Sequence, residues 1–190
     1  MRNIIVSNMV SLDGFYAGNN DEIDWHVVGD EFLADAATLL DSVDTLLYGR
    51  KTYQGMLSYW TTQDAITDDP IIAGKMNELP KVVFSRTLDK VEWGKWNNAT
   101  LVKDNIADEV KKLKQQPGKD MLILGSGTIV AALTGLGLID DYRIFVAPVA
   151  LGSGKSLFPG LDHRVSLKLV KTKTYQSGVV CLFYQPERMA

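Results

Sequence analysis

The sequence predicts an α/β fold: a mostly parallel central sheet, flanking helices and an antiparallel hairpin at the C-terminus. Three observations predict it. Apolar, β-branched runs alternate with segments of helical spacing through most of the chain. Two of those runs stop at glycine and pass at once into a helix, Leu46-Leu47-Tyr48-Gly49-Arg50-Lys51-Thr52-Tyr53 and Met121-Leu122-Ile123-Leu124-Gly125-Ser126-Gly127-Thr128-Ile129-Val130. The last two runs, Leu167 to Tyr175 and Gly178 to Tyr184, alternate Leu, Val and Tyr around a short turn, as hairpin strands do. A βαβα order that ends in antiparallel strands describes a parallel sheet with an antiparallel edge.

Each element has its own signal. Asn3 to Val10 is the first strand and ends in the turn Ser11-Leu12-Asp13-Gly14. A long loop runs from Gly18 to Gly29. Asp30 is placed to cap a helix from Glu31 to Leu40, with Phe32, Leu33, Ala36, Leu39 and Leu40 at helical spacing. Thr45 to Tyr48 is the second strand and Arg50 to Tyr59 a short helix. Thr61 to Asp69 is polar and reads as loop, and Ile72 to Leu79 as a helical turn. Lys81 to Phe84 and Thr100 to Val102 are strands. Ala107 to Gln116 is a charged amphipathic helix stopped by Pro117-Gly118. Met121 to Leu124, apolar at every position, reads as a strand covered on both faces. Ser126 to Leu136 is a helix ended by Gly137, and Asp141 to Val149 a strand.

A chain of 190 residues suits one domain, here 1–190, with a full core. The net charge of −3 gives no basic footprint for nucleic acid and no polybasic patch for a membrane. No apolar stretch approaches the roughly 20 residues that span a bilayer. Met1-Arg2-Asn3-Ile4-Ile5-Val6-Ser7 has no apolar signal region and leads straight into a strand, so a cytoplasmic protein is expected. Cys181, the single cysteine, lies in an apolar strand and is expected to be buried and inert. With His26 and His163 it matches no metal spacing, so no metal is expected, and the histidines read as surface or loop residues.

The glycine turns carry the chemistry. A strand that meets a helix at glycine offers free backbone N–H groups and the positive end of a helix dipole, a natural seat for phosphate. Two such turns suit a dinucleotide better than a single anion. Gly125-Ser126-Gly127 has Val130 where the dinucleotide fingerprint needs its third glycine, so it is no standard Rossmann site. Close packing explains these glycines as well as a ligand does. In Gly49-Arg50-Lys51-Thr52, two cations follow the glycine where the dipole disfavours positive charge, which makes sense if an anion sits there. Ser85-Arg86-Thr87 adds a guanidinium suited to a 2′-phosphate, which favours NADPH over NADH. Gly152-Ser153-Gly154-Lys155-Ser156 imitates a P-loop, but Val149 stands where the Walker pattern needs glycine; it reads as a mobile loop beside the site. Asp13, Asp24, Asp30 and Glu31 are the acidic candidates for proton supply. Asp13 could assist protonation if burial raised its pKa. Phe15, Tyr16, Trp25, Phe32, Tyr53 and Trp60 could line the pocket of a flat heterocycle or simply belong to the core.

Val10-Ser11-Leu12-Asp13-Gly14, Tyr48 to Thr52, Leu124 to Gly127, and Pro148 to Gly154 through Leu157-Phe158 fall in an order that resembles the dihydrofolate reductase-like superfamily. Within it the chain is most similar to the C-terminal reductase domain of RibD, the bifunctional riboflavin-biosynthesis enzyme, and its stand-alone relatives. The resemblance implies an eight-stranded sheet, a homodimer, and hydride transfer from NADPH to a pteridine-like or aminopyrimidine substrate. That is the chemistry of dihydrofolate reductase or of 5-amino-6-(5-phosphoribosylamino)uracil reductase. By motif position it implies that Gly49, Arg50, Lys51 and Thr52 hold the cofactor's phosphates and that Ser85 and Arg86 lie near its 2′-phosphate. Gly125, Ser126, Gly127 and Thr128 would contact the pyrophosphate and nicotinamide side. The Asp13 loop would face the substrate, with Glu31 near the position of the superfamily's helix carboxylate. The zinc deaminase signature of the bifunctional enzyme is absent, and Phe15 stands where riboflavin-pathway members often carry a basic residue. A non-catalytic ligand-binding protein on the same fold is the competing expectation.

Overall fold

In the computed structural model, which describes residues 1–187, one eight-stranded sheet runs through the molecule. The first half of the chain supplies β1 (Ile4–Val10), β2 (Phe15–Ala17), α1 (Asp30–Ser42), β3 (Val43–Gly49), α2 (Arg50–Trp60), α3 (Gln63–Asp68), α4 (Pro70–Glu78) and β4 (Lys81–Phe84). The second half supplies β5 (Ala99–Val102), α5 (Ile106–Gln115), β6 (Asp120–Ile123), α6 (Gly127–Gly135), β7 (Asp141–Val146), β8 (Lys155–Ser156), β9 (Leu167–Thr174) and β10 (Val180–Pro186). The strand order is β5-β4-β3-β6-β1-β7-β10-β9. Pairing is parallel from β5 through β7 and antiparallel across β7, β10 and β9.

The strands alternate their apolar residues between two layers. Ile4 and Val6 of β1, Leu47 of β3, and Met121 and Ile123 of β6 pack with Val110 of α5 and with Ile129, Val130 and Leu133 of α6. Ile5, Leu46, Tyr48 and Leu122 point the other way, toward Leu39 and Leu40 of α1, Tyr53 of α2, and Ile72 and Met76 of α4. Burial on both faces is why Met121 to Ile123 is apolar at every position. A third cluster joins Met9, Phe145 and Cys181 to Tyr175 and Val179. Cys181 is fully buried, and burial pushes its thiol up to about 12, as befits an inert core residue.

Three local expectations need correction. Asp30 is the first residue of α1 rather than its cap; Gly29 holds the cap position without a side-chain bond. The polar stretch read as loop contains α3, whose start is capped by Thr62 Oγ1 accepting from Ala65 N–H at 3.2 Å. Asp69 then caps α4, with Pro70 in the first turn, where a missing N–H costs nothing. Finally, β2 and β8 form a two-stranded ribbon beside the main sheet.

Candidate active site at two sheet-to-helix corners

β3 and β6 are parallel neighbours, with Leu47 opposite Ile123. Past their carboxyl ends the chain departs in opposite directions. From Gly49 it enters α2, on one face of the sheet, and goes on to β4; from Gly125 it enters α6, on the other face, and goes on to β7. Adjacent strands whose connections diverge in this way leave a crevice above their ends, the usual ligand position in open α/β sheets. The corners touch: Gly49 N–H reaches Gly125 O at 3.5 Å. Gly49 has an ordinary φ of −79, so its backbone does not demand glycine. Its neighbours do, because a Cβ there would fall on Ser126 Oγ and 3.0 Å from Ile129 Cγ1. Gly125 has φ +121, leads into a cis peptide with Ser126, and has Thr52 Oγ1 2.9 Å from where its own Cβ would be. The structure thus brings Gly49, Thr52, Gly125 and Ser126 together.

Neither helix start has a side-chain cap, in contrast to α3 and α4. At α2 the exposed Arg50 donates to Thr87 Oγ1 at 3.0 Å, and Lys51 pairs with Asp21 at 2.8 Å. Ser85 Oγ is committed to its own turn, accepting from the N–H groups of Thr87 and Leu88. Arg86 is almost wholly exposed, 4.0 Å from Asp104. Arg50, Arg86 and Thr87 therefore share one solvent-facing corner beside the carboxyl ends of β3 and β4. At α6, Ser126 and Thr128 hydroxyls bond each other at 2.8 Å. Gly127 is a packing glycine: a Cβ there would lie 2.7 Å from Tyr16 Cε1 and 2.8 Å from Ser156 O. Half-burial raises the pKa of the Tyr16 hydroxyl.

The carboxylates do not behave as the sequence suggested. Asp13 is exposed, and its oxygens accept from Ser11 Oγ at 2.6 Å, Leu151 N–H at 3.1 Å and Gly152 N–H at 2.7 Å. Those bonds, led by Ser11, hold it at about 2, so it carries no proton to give at neutral pH. Its work is to fasten the exit of β1 to the segment before β8. Removing it by Asp13→Ala is expected to speed hydrogen exchange at the Leu151 and Gly152 amides by about tenfold or more, read by NMR. Glu31 is at the start of α1, where its carboxylate accepts from Gln176 N–H at 2.9 Å in the turn between β9 and β10. That is the β7–β10 side of the sheet, away from the two glycine corners. His26 lies in the loop before α1, in line with the surface-or-loop expectation, but is half-buried there, with its Nε2 enclosed and unpartnered and its pKa lowered by burial.

Residues outside the sequence candidates complete the site. Asn8, in the middle of β1, is buried and donates to Leu124 O at 3.4 Å beside the Gly125 corner; its Oδ1 has no partner. The polar pair Ser7-Asn8 interrupting an apolar strand was the available signal. Asp21 and Lys155 come to Lys51 from distant segments, and only folding shows it. Of the aromatic candidates, Tyr16 is at the corner, Trp25 and Phe32 pack with the third core cluster, and Tyr53 and Trp60 with the second.

The RibD C-terminal domain model matches residues 2–181. The chain belongs to the RibD C-terminal domain family. It is similar over nearly its whole length to two proteins of Bacillus subtilis strain 168, both uncharacterized. YyaP is 37% identical over 187 residues, covering 96% of this chain and 94% of that protein, and YwjB is 28% identical over 182 residues, covering 94% and 95%. Among solved structures, a Shewanella sp. PV-4 protein named for riboflavin biosynthesis superposes with a TM-score of 0.75 at 26% identity, over 99% of this chain and all of that one. The Thermotoga maritima diaminohydroxyphosphoribosylaminopyrimidine deaminase/5-amino-6-(5-phosphoribosylamino)uracil reductase gives 0.70 at 15% identity, over 97% of this chain and 56% of that one. Enterococcus faecalis dihydrofolate reductase, complexed with NADP(H), gives 0.63 at 13% identity, over 98% and 97%. The fold is therefore dihydrofolate reductase-like, and the RibD C-terminal family is of reductase type. Among the described residues no helix is long and apolar enough to cross a membrane.

Proposed function

We propose that this RibD C-terminal-type domain is an NADPH-dependent reductase acting on a pteridine-like or aminopyrimidine heterocycle. The observation that carries the reading is the meeting of the Gly49 and Gly125 corners where the sheet connections diverge. Uncapped amides of α2 and α6, with Arg50, Lys51 and Arg86 close by, make a seat for the phosphates of a dinucleotide. The residues present fit such a group, because the two glycines let the helix starts come together, with only the small hydroxyl side chains of Ser126 and Thr52 and the Ile129 stem packed at the corners. NADPH would supply a hydride; the chain's part is to hold cofactor and substrate and to exclude water. Gly49, Arg50, Lys51 and Thr52, with Ser126 and Thr128, would hold the diphosphate, and Arg86 with Thr87 the 2′-phosphate. Ser85 and Gly127 serve through the turn and the close packing they permit.

The proton is a separate matter. With Asp13 ionised and Glu31 turned to the hairpin, neither supplies it from the corner. That observation favours the second reading, a ligand-binding protein without turnover. One experiment separates the two. NADPH is expected to bind in a fluorescence titration at micromolar protein, and a panel of pterins and reducible uracil intermediates to yield substrate-dependent NADPH oxidation. Binding without oxidation would favour the second reading, and absence of binding would exclude both cofactor and reductase.

We also propose a homodimer through the C-terminal hairpin. β9 is the edge of the sheet, and Leu169 and Val170 on it are 47% and 57% exposed, apolar area that an isolated chain gains nothing by showing. Sedimentation is expected to show a dimer, and Leu169→Glu with Val170→Glu a monomer.

A further inference from the structure

The segment Gly152-Ser153-Gly154-Lys155-Ser156 is not a nucleotide-wrapping loop. Gly152 takes φ +75 to turn the chain. Gly154 is glycine because β8 lies on β2; a Cβ there would sit 2.9 Å from Phe15 Cβ. The remaining conspicuous residue, Lys155, points to Asp21, and so does Lys51 from the first turn of α2. Two cations from distant parts of the sequence thus converge on one carboxylate beside the corner. The Asp21 loop is carried there deliberately. Asp21 adopts the left-handed region at φ 71, its N–H bonds Gly18 O at 3.2 Å, and Asn19 Nδ2 reaches across to Ser153 Oγ at 2.9 Å. Neighbouring Glu22 is turned inward on Asn20, which leaves Asp21 as the carboxylate presented to the lysines.

Charge makes sense of this arrangement. A lysine in the first turn of a helix opposes the helix dipole, whereas an anion there is favoured by both. Asp21 is an anion in that position, held below the usual carboxylate range by Lys155 and Lys51. The three side chains are 28% to 57% exposed, and ion pairs of that exposure are weak and easily exchanged. A diphosphate brings more charge to the same lysines and can take N–H groups as well.

We propose that Lys51 and Lys155 form a phosphate subsite, and that Asp21 is its resident counter-ion, displaced when the diphosphate of a dinucleotide binds. The assignment rests on the NADPH reading for its natural ligand, but the subsite can be probed without it. Titration calorimetry with NADPH, and separately with inorganic pyrophosphate, is run on wild type, Asp21→Asn, Lys155→Gln and Asp24→Asn. Asp24 is an exposed carboxylate of the same loop, so its variant controls for a general change in charge. Asp21→Asn is expected to bind both probes about threefold tighter or more, Asp24→Asn to stay within about twofold of wild type, and Lys155→Gln to bind about fivefold weaker or worse. Asp21→Asn no tighter than Asp24→Asn, or Lys155→Gln equal to wild type, overturns the subsite even if NADPH binds well. The expected order with pyrophosphate, but no binding of NADPH to any variant, upholds the subsite and removes the cofactor. Failure of both probes on all four proteins removes both.

Discussion

Gly49→Ala is expected to lower stability by about 1–3 kcal/mol, the usual cost of forcing extra volume into a packed site, and to weaken NADPH binding by about tenfold or more. The cause is purely steric. At φ −79 and ψ 163 an alanine is comfortable, so the backbone makes no objection. The methyl group does, because it lands on Ser126 Oγ. Rotating that hydroxyl away does not clear the space, since Ser126 Cβ is 3.3 Å and Ile129 Cγ1 3.0 Å from the new atom. Relief requires α6 to move off β3, and that movement parts the corners that hold the diphosphate. A second substitution, Ser126→Gly, should restore more than half of the stability loss but not the NADPH affinity, because it also removes a hydroxyl assigned to the diphosphate. It removes Ser126 Oγ and Cβ and leaves only the Ile129 contact; Ser126 makes no cap bond, and the hydroxyl bond lost is the one to Thr128. Urea midpoints and NADPH titrations of the two single variants and the double variant complete the cycle. Wild-type values for Gly49→Ala alone would mean that the corners are not in functional contact.

Gly49 also shows what can be read from a sequence of this kind. The change from an apolar run to helical spacing at a glycine is a local signal, and it located both corners and the strands that feed them. The reason for glycine is not local. Gly49 is required by Ser126, Gly127 by Tyr16 and Ser156, and Gly154 by Phe15, all partners from other segments. Asp13 is a similar case. Ser11-Leu12-Asp13-Gly14 is visible as a turn, and Ser11 within it does most to lower the Asp13 pKa, but the further bonds from Leu151 and Gly152 come from across the fold. Helix α3 was hidden because its six residues are mostly polar and its start depends on one hydroxyl cap at Thr62. The β2–β8 ribbon is too short to show a period of two. Pairing of Lys51 and Lys155 through Asp21 joins a helix, a short strand and a loop; the sequence marked Lys51 for an anion but carried no sign that Asp21 and Lys155 meet it.

Stability is expected to rise by about 2 kcal/mol between pH 7 and pH 9, and Lys81→Met to flatten that rise. Lys81 opens β4 and is 1% exposed. Its ammonium donates to Asn77 O at 2.7 Å and Asn98 Oδ1 at 3.3 Å and lies 4.2 Å from the centre of the Trp93 ring. No carboxylate is among these partners, so burial dominates and pulls the pKa from 10.5 to about 7. Between those values the unfolded chain binds a proton that the native chain does not. The slope is therefore positive, up to about 1.4 kcal/mol per pH unit, and the stabilisation is lost as pH falls toward 7. Above pH 9 the sign reverses for other groups, since burial raises the Cys181 thiol from 9.0 to about 12 and the Tyr48 and Tyr142 hydroxyls upward. The window from 7 to 9 is thus where Lys81 can be read. Methionine keeps the length of the stem, and Asn77 O retains the bond from Asn98 Nδ2 at 2.9 Å, so Lys81→Met leaves little unpaired. Urea unfolding at pH 7, 8 and 9 measures both slopes. Equal slopes in the two proteins would show that Lys81 keeps its proton, with Trp93 and the two oxygens outweighing burial.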